Sequence, residues 1–257
     1  MAALLVIMAS TTTLTAAGTA HADPGPAVAQ PMPPLPVLSL SDAGYISVGA
    51  SQKTVADGAM ATVTVGKPIV SADDSHSLAS VAVRSADKRH NVQIGWTVDR
   101  ELNGDDEPHL FVIHRADGVD ACYNICGFEP YAPSTVQPGA ALPAGTSKRF
   151  IIQHSGDRWW VGYDTQWLGS FPDSLWAGAF TYTGAVHYFG EVSGTGDPSC
   201  SQMGTGSYAE STQAARFSSI SLINGTPAAL VPGPPDPFYG YYPISAGSFR
   251  FGGPGLC

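Results

Sequence analysis

The sequence predicts an all-β protein built as an antiparallel sandwich or barrel. Short runs of alternating apolar and polar residues recur along the chain, and Gly, Pro, Asn and Asp separate them. Long apolar patterns with a 3.6-residue period are absent, which argues against a helical fold. Residues 153–160, QHSGDRWW, place a glycine-containing turn between two alternating runs, which is typical of a hairpin.

Nine segments carry the strand pattern. Successive side chains of a strand point to opposite faces of a sheet, so each segment presents one apolar face and one polar face. In chain order the segments are residues 44–51, 60–66, 78–85, 92–98, 109–115, 149–154, 158–164, 185–192 and 217–223. Residues 226–257 are dense in Pro, Gly and Tyr, and we expect an ordered loop there that packs on the sheets.

The N-terminus differs from the rest of the chain. Residues 1–22 lack the usual basic start of a signal peptide, but an apolar run too short to span a bilayer is followed by small residues that fit a signal-peptidase site. We therefore expect a signal peptide over residues 1–22 and secretion of the remainder. Residues 23–43 are rich in proline and predict a linker or short pro-segment. Residues 44–257 then form one large β domain.

The formal net charge is −9, and only 13% of the residues are charged. Few Lys and Arg are available to neutralise phosphates, so we expect neither nucleic acid nor a membrane surface as a partner. The low charge density limits self-repulsion at low pH, which favours an acidic working environment. We expect a monomer that uses no cofactor.

Four cysteines, Cys122, Cys126, Cys200 and Cys257, suggest two disulfides in an exported chain. Three pairings are possible. A zinc site would need four converging ligands, and the spacing provides no second close pair. We therefore expect no metal site.

Common hydrolase motifs are absent: the chain has neither G-x-S-x-G nor H-E-x-x-H. Residues 154–157, HSGD, hold the residue types of a serine triad, but adjacent residues of one turn cannot converge from separate elements. His109 and His114 lie five apart on one strand and point to opposite faces. The acidic residues 105–107 favour a solvated turn over a calcium site. Carboxylates on strands remain as the candidate chemistry.

Glu191 is the first candidate. In residues 186–194, VHYFGEVSG, strand parity places Glu191 and Phe189 on one face and Val192 on the other. A carboxylate in an aromatic strand with few charges nearby would be partly desolvated, which suits acid–base chemistry. An exposed strand glutamate is the alternative interpretation.

Gln93 is the second candidate. It lies in residues 90–96, HNVQIGW, on the face opposite to Val92, Ile94 and Trp96. We expect Trp96 to be a core residue. From the residues alone, Gln93 is equally an ordinary polar side chain on a wet face.

Eight segments follow one another through residues 44–257, and their order is more specific than any one of them. They are GYISVGA, VQIGWTVD, NGDDEPHLFV, CYNICGF, WWVGY, FGEVSG, MGTGSY and FGGPG. Together they resemble the neprosin domain of secreted glutamic peptidases first described from plants. The resemblance implies an antiparallel β-sandwich of the jelly-roll or concanavalin type, with two packed sheets. It also implies the disulfides Cys122–Cys126 and Cys200–Cys257.

The resemblance further implies two catalytic glutamates on one sheet face. One maps to Glu191, but the other position, two residues before a Gly-Trp pair, holds Gln93 in this chain. Fungal glutamic peptidases on a similar sandwich use a Gln/Glu pair, so the amide does not by itself imply an inactive enzyme. We expect Glu191 to activate a water molecule, and Gln93 to hold that water and donate to the oxyanion.

The resemblance thus predicts a secreted endopeptidase that cleaves peptide or protein substrates after proline at acidic pH. Candidates for aromatic side chains that line the cleft are Trp159, Trp160, Tyr163 and Tyr188. Two alternatives remain. Gln93 favours a non-catalytic carbohydrate- or peptide-binding module of the cell surface. A glycoside hydrolase usually requires two carboxylates that flank the bond, and Gln93 removes one of them.

Overall fold

The computed structural model describes residues 44–194 and 199–257. The predictions of a signal peptide over residues 1–22 and of a linker over residues 23–43 lie outside the described residues. Within them, fifteen strands form two antiparallel sheets. No helix in this part of the chain is long and apolar enough to cross a membrane.

The elements are numbered in chain order. They are β1 (Gly44–Lys53), β2 (Gly58–Thr64), β3 (Asp74–Arg84), β4 (Asn91–Val98), α1 (Arg100–Asn103), β5 (His109–Ala116), β6 (Val119–Asp120), β7 (Glu129–Pro130), β8 (Ser147–Ser155), β9 (Arg158–Tyr163), β10 (Gln166–Pro172), a 3₁₀ turn (Asp173–Trp176), β11 (Ala185–Gly194), β12 (Ala215–Ile223), β13 (Val231–Pro232), β14 (Gly240–Ser245) and β15 (Ser248–Gly252).

The two sheets pack face to face, and the predicted all-β antiparallel sandwich is confirmed. The first sheet has the strand order β13-β1-β11-β3-β4-β5-β6, and the second has the order β14-β15-β12-β2-β8-β9-β10-β7. Each of the nine predicted segments falls on a strand of one of these sheets. Strand β11 lies between β1 and β3, so residues more than a hundred positions apart in sequence become neighbours.

The core lies between the sheets and takes alternate residues of their strands. On β4, Val92, Ile94 and Trp96 are fully buried, as strand parity predicts. The indole N–H of Trp96 donates to the carbonyl of Thr64 on β2, 2.9 Å away, so the buried ring keeps a partner for its polar atom. Burying each side chain of this kind stabilises the fold by roughly 1.5–3 kcal/mol.

The prediction of a loop over residues 226–257 was wrong in part, because β13, β14 and β15 lie there. The side chains of Phe249 and Phe251 on β15 are fully buried, and each packs against Phe217 of β12 at 5.0 Å between ring centroids. Pro243 is tolerated in β14 because this strand is at the edge of its sheet, where a missing N–H breaks no ladder.

Two disulfides join Cys122 to Cys126 and Cys200 to Cys257, which is the pairing that the resemblance implies. The first closes a loop of sequence separation 4, and the second closes one of separation 57. Crosslinks that close longer loops remove more conformational entropy from the unfolded chain. The Cys200–Cys257 bridge is therefore the more important of the two for stability.

We expect the Cys200→Ser/Cys257→Ser double variant to lose about 4 kcal/mol of unfolding free energy, as chain entropy predicts for its loop length. The Cys122→Ser/Cys126→Ser variant is the matched control and should lose only about half as much. Urea denaturation of both variants at neutral pH measures the difference. A larger loss for the shorter loop would contradict this account.

Candidate functional site

A cavity of about 290 Å³ opens on the face of the first sheet that points away from the core. Strands β1, β3, β4 and β11 supply most of its walls, and residues 233–234 close one side. The polar or aromatic side chains that matter here are Ser47, Arg84, Gln93, His187, Phe189 and Glu191. Both candidates from the sequence, Gln93 and Glu191, thus line one cavity.

The carboxylate of Glu191 is held by two neighbouring strands. The hydroxyl of Ser47, directly opposite on β1, donates to Oε2 at 2.8 Å. The Nε2 atom of His76 on β3 lies 3.3 Å from Oε1, and it donates to the carboxylate since an ionised carboxylate only accepts. The Glu191 side chain is 19% exposed, so it is oriented by these contacts and still reached from the cavity.

His76 is itself positioned by a serine. Its Nδ1 atom lies 3.2 Å from the hydroxyl of Ser75, which donates to the hydroxyl of Ser193 at 3.0 Å. Contacts with Ser75 at Nδ1 and with Glu191 at Nε2 restrict the orientation of the imidazole ring. The Glu191 carboxylate therefore has a fixed hydrogen-bond donor on each oxygen, an arrangement suited to holding one reactive geometry.

Gln93 lines the cavity from strand β4. Its strand neighbours Val92 and Ile94 are fully buried, so Gln93 lies on the opposite face. The Gln93 side chain makes no hydrogen bond with any other residue among those that the structure describes. Its amide N–H and carbonyl groups are thus both available to a ligand.

Gln93 and Glu191 share a face but not adjacent strands, because β3 runs between β4 and β11. The register aligns Gln93 with Ala82 and His187, so Glu191 lies four residues further along β11. With about 3.3 Å per residue and about 4.8 Å between strands, their Cα atoms would be roughly 16 Å apart on a flat sheet. Two long side chains facing each other over this span leave room for a water molecule and a peptide group.

The aromatic candidates lie elsewhere. Trp159 and Tyr188 are fully buried in the core, and Tyr163 is 6% exposed. Trp160 is on β9 of the second sheet, where its ring contacts Tyr131 and Trp167. The aromatic side chain that lines the cavity is Phe189, two residues before Glu191.

The acidic residues 105–107 form separate ion pairs instead of converging. Asp105 accepts from His109, and Asp106 pairs with Arg100 at 2.6 Å. Glu107 pairs with Lys67. Each carboxylate has its own partner, which agrees with the prediction of an ordinary surface turn.

Sequence reasoning missed Ser47, His76, Arg84 and His187. Strand parity could have placed each of them on the polar face of its strand. Their proximity to Glu191 or Gln93 depends on the pairing of β11 with β1 and β3, which the local pattern does not encode.

Burial, and then the positive charges of Arg84 and Lys88, lowers the pKa of His187 to about 4. His187 is therefore neutral in weak acid, whereas the unfolded chain binds a proton as the pH falls through the usual value of 6.5. The folded protein therefore has its full stability from this group above pH 6.5. The free energy of unfolding decreases as the pH falls from 6.5 towards 4, because the unfolded chain binds a proton that the folded protein does not.

We expect the His187→Gln variant to lose less stability than the parent protein between pH 6.5 and pH 4. The parent should lose roughly 1–3 kcal/mol from this group, a figure reduced for its partial solvent exposure. Urea denaturation of both proteins at several pH values measures the two slopes. Equal slopes would show that His187 does not contribute.

Comparisons with known proteins identify a family and several structures of similar fold. A family model described as Neprosin matches residues 73–243. Among solved structures, the chain is similar to scytalido-glutamic peptidase, solved with a peptide-based transition state analogue, at 11% identity over 82% of this chain and 98% of that chain, with a TM-score of 0.48. It is similar to SCP-B, an Eqolisin-family peptidase in complex with the tripeptide Ala-Ile-His, at 10% identity over 82% of this chain and 98% of that chain, with a TM-score of 0.45.

A weaker similarity is to a glycoside hydrolase family 16 endo-glucanase from Bacteroides ovatus. The identity is 9% over 61% of this chain and 70% of that chain, with a TM-score of 0.36. No curated protein sequence matches the chain.

Proposed function

The chain belongs to the neprosin family, as the order of its motifs predicts, and from this membership we propose that it is a glutamic-type endopeptidase. The placement of Glu191 carries the proposal. Its carboxylate contacts Ser47 and His76 and lines a cavity together with Gln93. These are the two positions to which the family resemblance assigns catalysis.

In the proposed reaction, Glu191 acts first as a general base. Its carboxylate takes a proton from a water molecule as the water oxygen bonds to the scissile carbonyl carbon. The carbonyl π electrons move to the oxygen, which becomes an oxyanion. Glu191, now protonated, delivers the proton to the amine as the C–N bond breaks. Ser47 and His76 hold the carboxylate in place between the two steps.

Gln93 stabilises the oxyanion in this mechanism. Its free amide N–H can donate to the developing negative charge, a contribution of roughly 3 kcal/mol for one such donor. The register supports a division of labour in which Glu191 contacts the water and Gln93 contacts the carbonyl oxygen, because the two strands are not adjacent. The scissile bond then lies between the two side chains.

The finer properties also belong to the proposal: the enzyme is secreted, works in acid and cleaves after proline. Secretion is supported by the signal-like residues 1–22 and by two disulfides, which persist in oxidising compartments. The acidic working range is supported by the low charge density. The preference for proline rests on the family resemblance alone.

Digestion of a peptide library that contains proline at varied positions, between pH 3 and pH 7, tests the proposal. We expect internal cleavage with a maximum in acid and products that end in proline. Internal cleavage without a proline preference would support the peptidase activity and contradict the proposed specificity. Absence of cleavage at every pH would contradict the proposed peptidase activity.

A second candidate function is a non-catalytic carbohydrate- or peptide-binding module of the cell surface. Gln93 favours it, because this amide stands where the family resemblance calls for a second carboxylate. Binding to cell-wall glycan by a chain that cleaves no peptide would support this candidate over the first.

A further inference from the structure

Arg84 differs from every other arginine that the structure describes. Its guanidinium forms no ion pair and no side-chain hydrogen bond with a described residue, although it lines the cavity. The seven other arginines, each with an ion pair or a side-chain hydrogen bond, are Arg89, Arg100, Arg115, Arg149, Arg158, Arg216 and Arg250. Arg84 is therefore the guanidinium left free for a ligand.

Asp120, whose charge acts on Arg84, already has a partner. Arg84 is aligned with Asn91, which is aligned in turn with Arg115 on β5. Arg115 forms a bidentate pair with Asp120, at 2.7 Å and 2.6 Å. Asp120 is thus hydrogen-bonded to Arg115 and acts on Arg84 only through space, so the Arg84 guanidinium has no hydrogen-bonded counter-ion among the described residues.

Two pKa shifts, of Arg84 and of His187, agree with a positive charge at Arg84 that has no hydrogen-bonded counter-ion. Burial, and then the charge of Arg115, lowers the pKa of Arg84, and the opposing effect of the Asp120 charge is smaller than either. The charge of Arg84 in turn contributes to the lowered pKa of His187 across the strand. Placing a charge in such an environment costs free energy unless an opposite charge compensates it. In a protein of net charge −9, a free, half-buried guanidinium facing a cavity is suited to binding an anion.

The cavity has one positive and one negative end. Among its described lining residues, Glu191 is the carboxylate. It is aligned with Leu78, and Arg84 lies six residues further along β3. At about 3.3 Å per residue this separates Arg84 from Glu191 by roughly 20 Å, the length of about six residues of an extended peptide. Gln93 is aligned with Ala82, two residues from Arg84, so a scissile bond between Glu191 and Gln93 lies fewer residues than this from a carboxylate at Arg84.

We propose that Arg84 binds a carboxylate of the peptide substrate, either a free C-terminus or the side chain of Asp or Glu, several residues from the scissile bond. This inference rests on the proposed peptidase function and names a class of substrate for it. The planar guanidinium can donate two parallel hydrogen bonds to one carboxylate, which gives geometric selectivity as well as attraction. Arg84 then anchors the substrate, and Glu191 and Gln93 act on the bond.

Binding is measured on the Glu191→Gln background, so that cleavage does not interfere. The probes are acetylated octapeptides of Ala, Gly and Pro: one with a free C-terminal carboxylate, one with a C-terminal amide, and a series of amides with one Asp placed at each position in turn. We expect the free acid, or the Asp peptide with the correct position, to bind about tenfold more tightly than the plain amide. The two arms distinguish a terminal carboxylate from a side-chain carboxylate.

Arg84→Gln should reduce this preference to about one, and Arg84→Lys should keep part of it because the charge remains. Arg149→Gln, on the second sheet, is the matched control and should leave the preference unchanged. Equal binding of the acid, the plain amide and every Asp peptide, or a preference that survives in Arg84→Gln, would overturn the inference.

A second readout needs no change at Arg84. NMR titration of the His187 ring should show its pKa rise when the carboxylate peptide binds, since the carboxylate offsets the charge of Arg84, and not when the amide binds. An unchanged His187 titration with the bound acid would overturn the inference. These assays measure binding, so they separate the two hypotheses. If the protein binds carboxylate peptides through Arg84 but cleaves no peptide, only the proposed function is rejected. If it cleaves acid and amide peptides equally well, only the role of Arg84 is rejected.

Discussion

The Glu191→Gln variant is expected to lose peptidase activity by about 10³-fold or more while the protein stays folded. The amide cannot accept the proton of the attacking water, and general acid–base catalysis contributes about 10²–10⁴-fold to rates of this kind. The same group also returns the proton to the leaving amine, so one substitution removes both steps. The loss should appear in kcat, since the substrate binds through other residues.

The fold should tolerate this change because both partners of Glu191 can adapt. Ser47 can accept a hydrogen bond from the new amide as well as donate one, and the imidazole of His76 can switch tautomers. We therefore expect the unfolding free energy to change by no more than about 1 kcal/mol. Activity at the pH optimum and urea denaturation together measure the two effects.

Glu210→Gln is the control, since it neutralises an exposed carboxylate that does not line the cavity. It should cleave peptides like the parent. If Glu191→Gln keeps full activity in a folded protein, Glu191 is not the base and the peptidase mechanism fails. If the variant unfolds, Glu191→Asp provides the same test: it keeps a carboxylate but shortens its reach, so it should retain a small part of the activity.

The part of the fold that the sequence predicts well is the part that local periodicity encodes. Val92, Ile94 and Trp96 alternate with Gln93, and this spacing alone identified the buried face and the strand. The two C-terminal strands of the hairpin β14–β15 were missed because prolines and glycines interrupt their pattern. The pairing of β15 with β12 and with β14, and the burial of Phe249 and Phe251, outweigh that weak local signal.

The site was only partly predictable for a related reason. Parity placed Glu191 on the polar face of its strand, and the family resemblance selected it. The contacts of its carboxylate with Ser47 and His76 join residues that are 144 and 115 positions away. Such contacts are set by which strands pair and in which register, and these depend on packing across the whole sheet. Arg84 became distinct only when the partners of all other arginines were known.

Substitutions at Gln93 distinguish an enzyme that uses a Gln/Glu pair from a non-catalytic binding module. Gln93→Ala should lower kcat by about 10²–10³-fold, because removing one oxyanion donor costs about 2.7–4 kcal/mol in the transition state. Stability should change by less than about 1 kcal/mol, since the Gln93 side chain has no hydrogen bond to another described residue. Gln213→Ala, a truncation of an exposed amide elsewhere, should leave activity unchanged.

Gln93→Glu adds a test that depends on pH. A glutamic acid donates a hydrogen bond to the oxyanion only while protonated, whereas the amide donates at every pH. The unpaired charge of Arg84, in the same cavity, favours ionisation of a new carboxylate. Activity of Gln93→Glu should therefore survive in acid and fall at a lower pH than that of the parent, and pH profiles of kcat measure the shift. A parent-like profile for both Gln93 variants would mean that the amide is a bystander and that Glu191 acts without it.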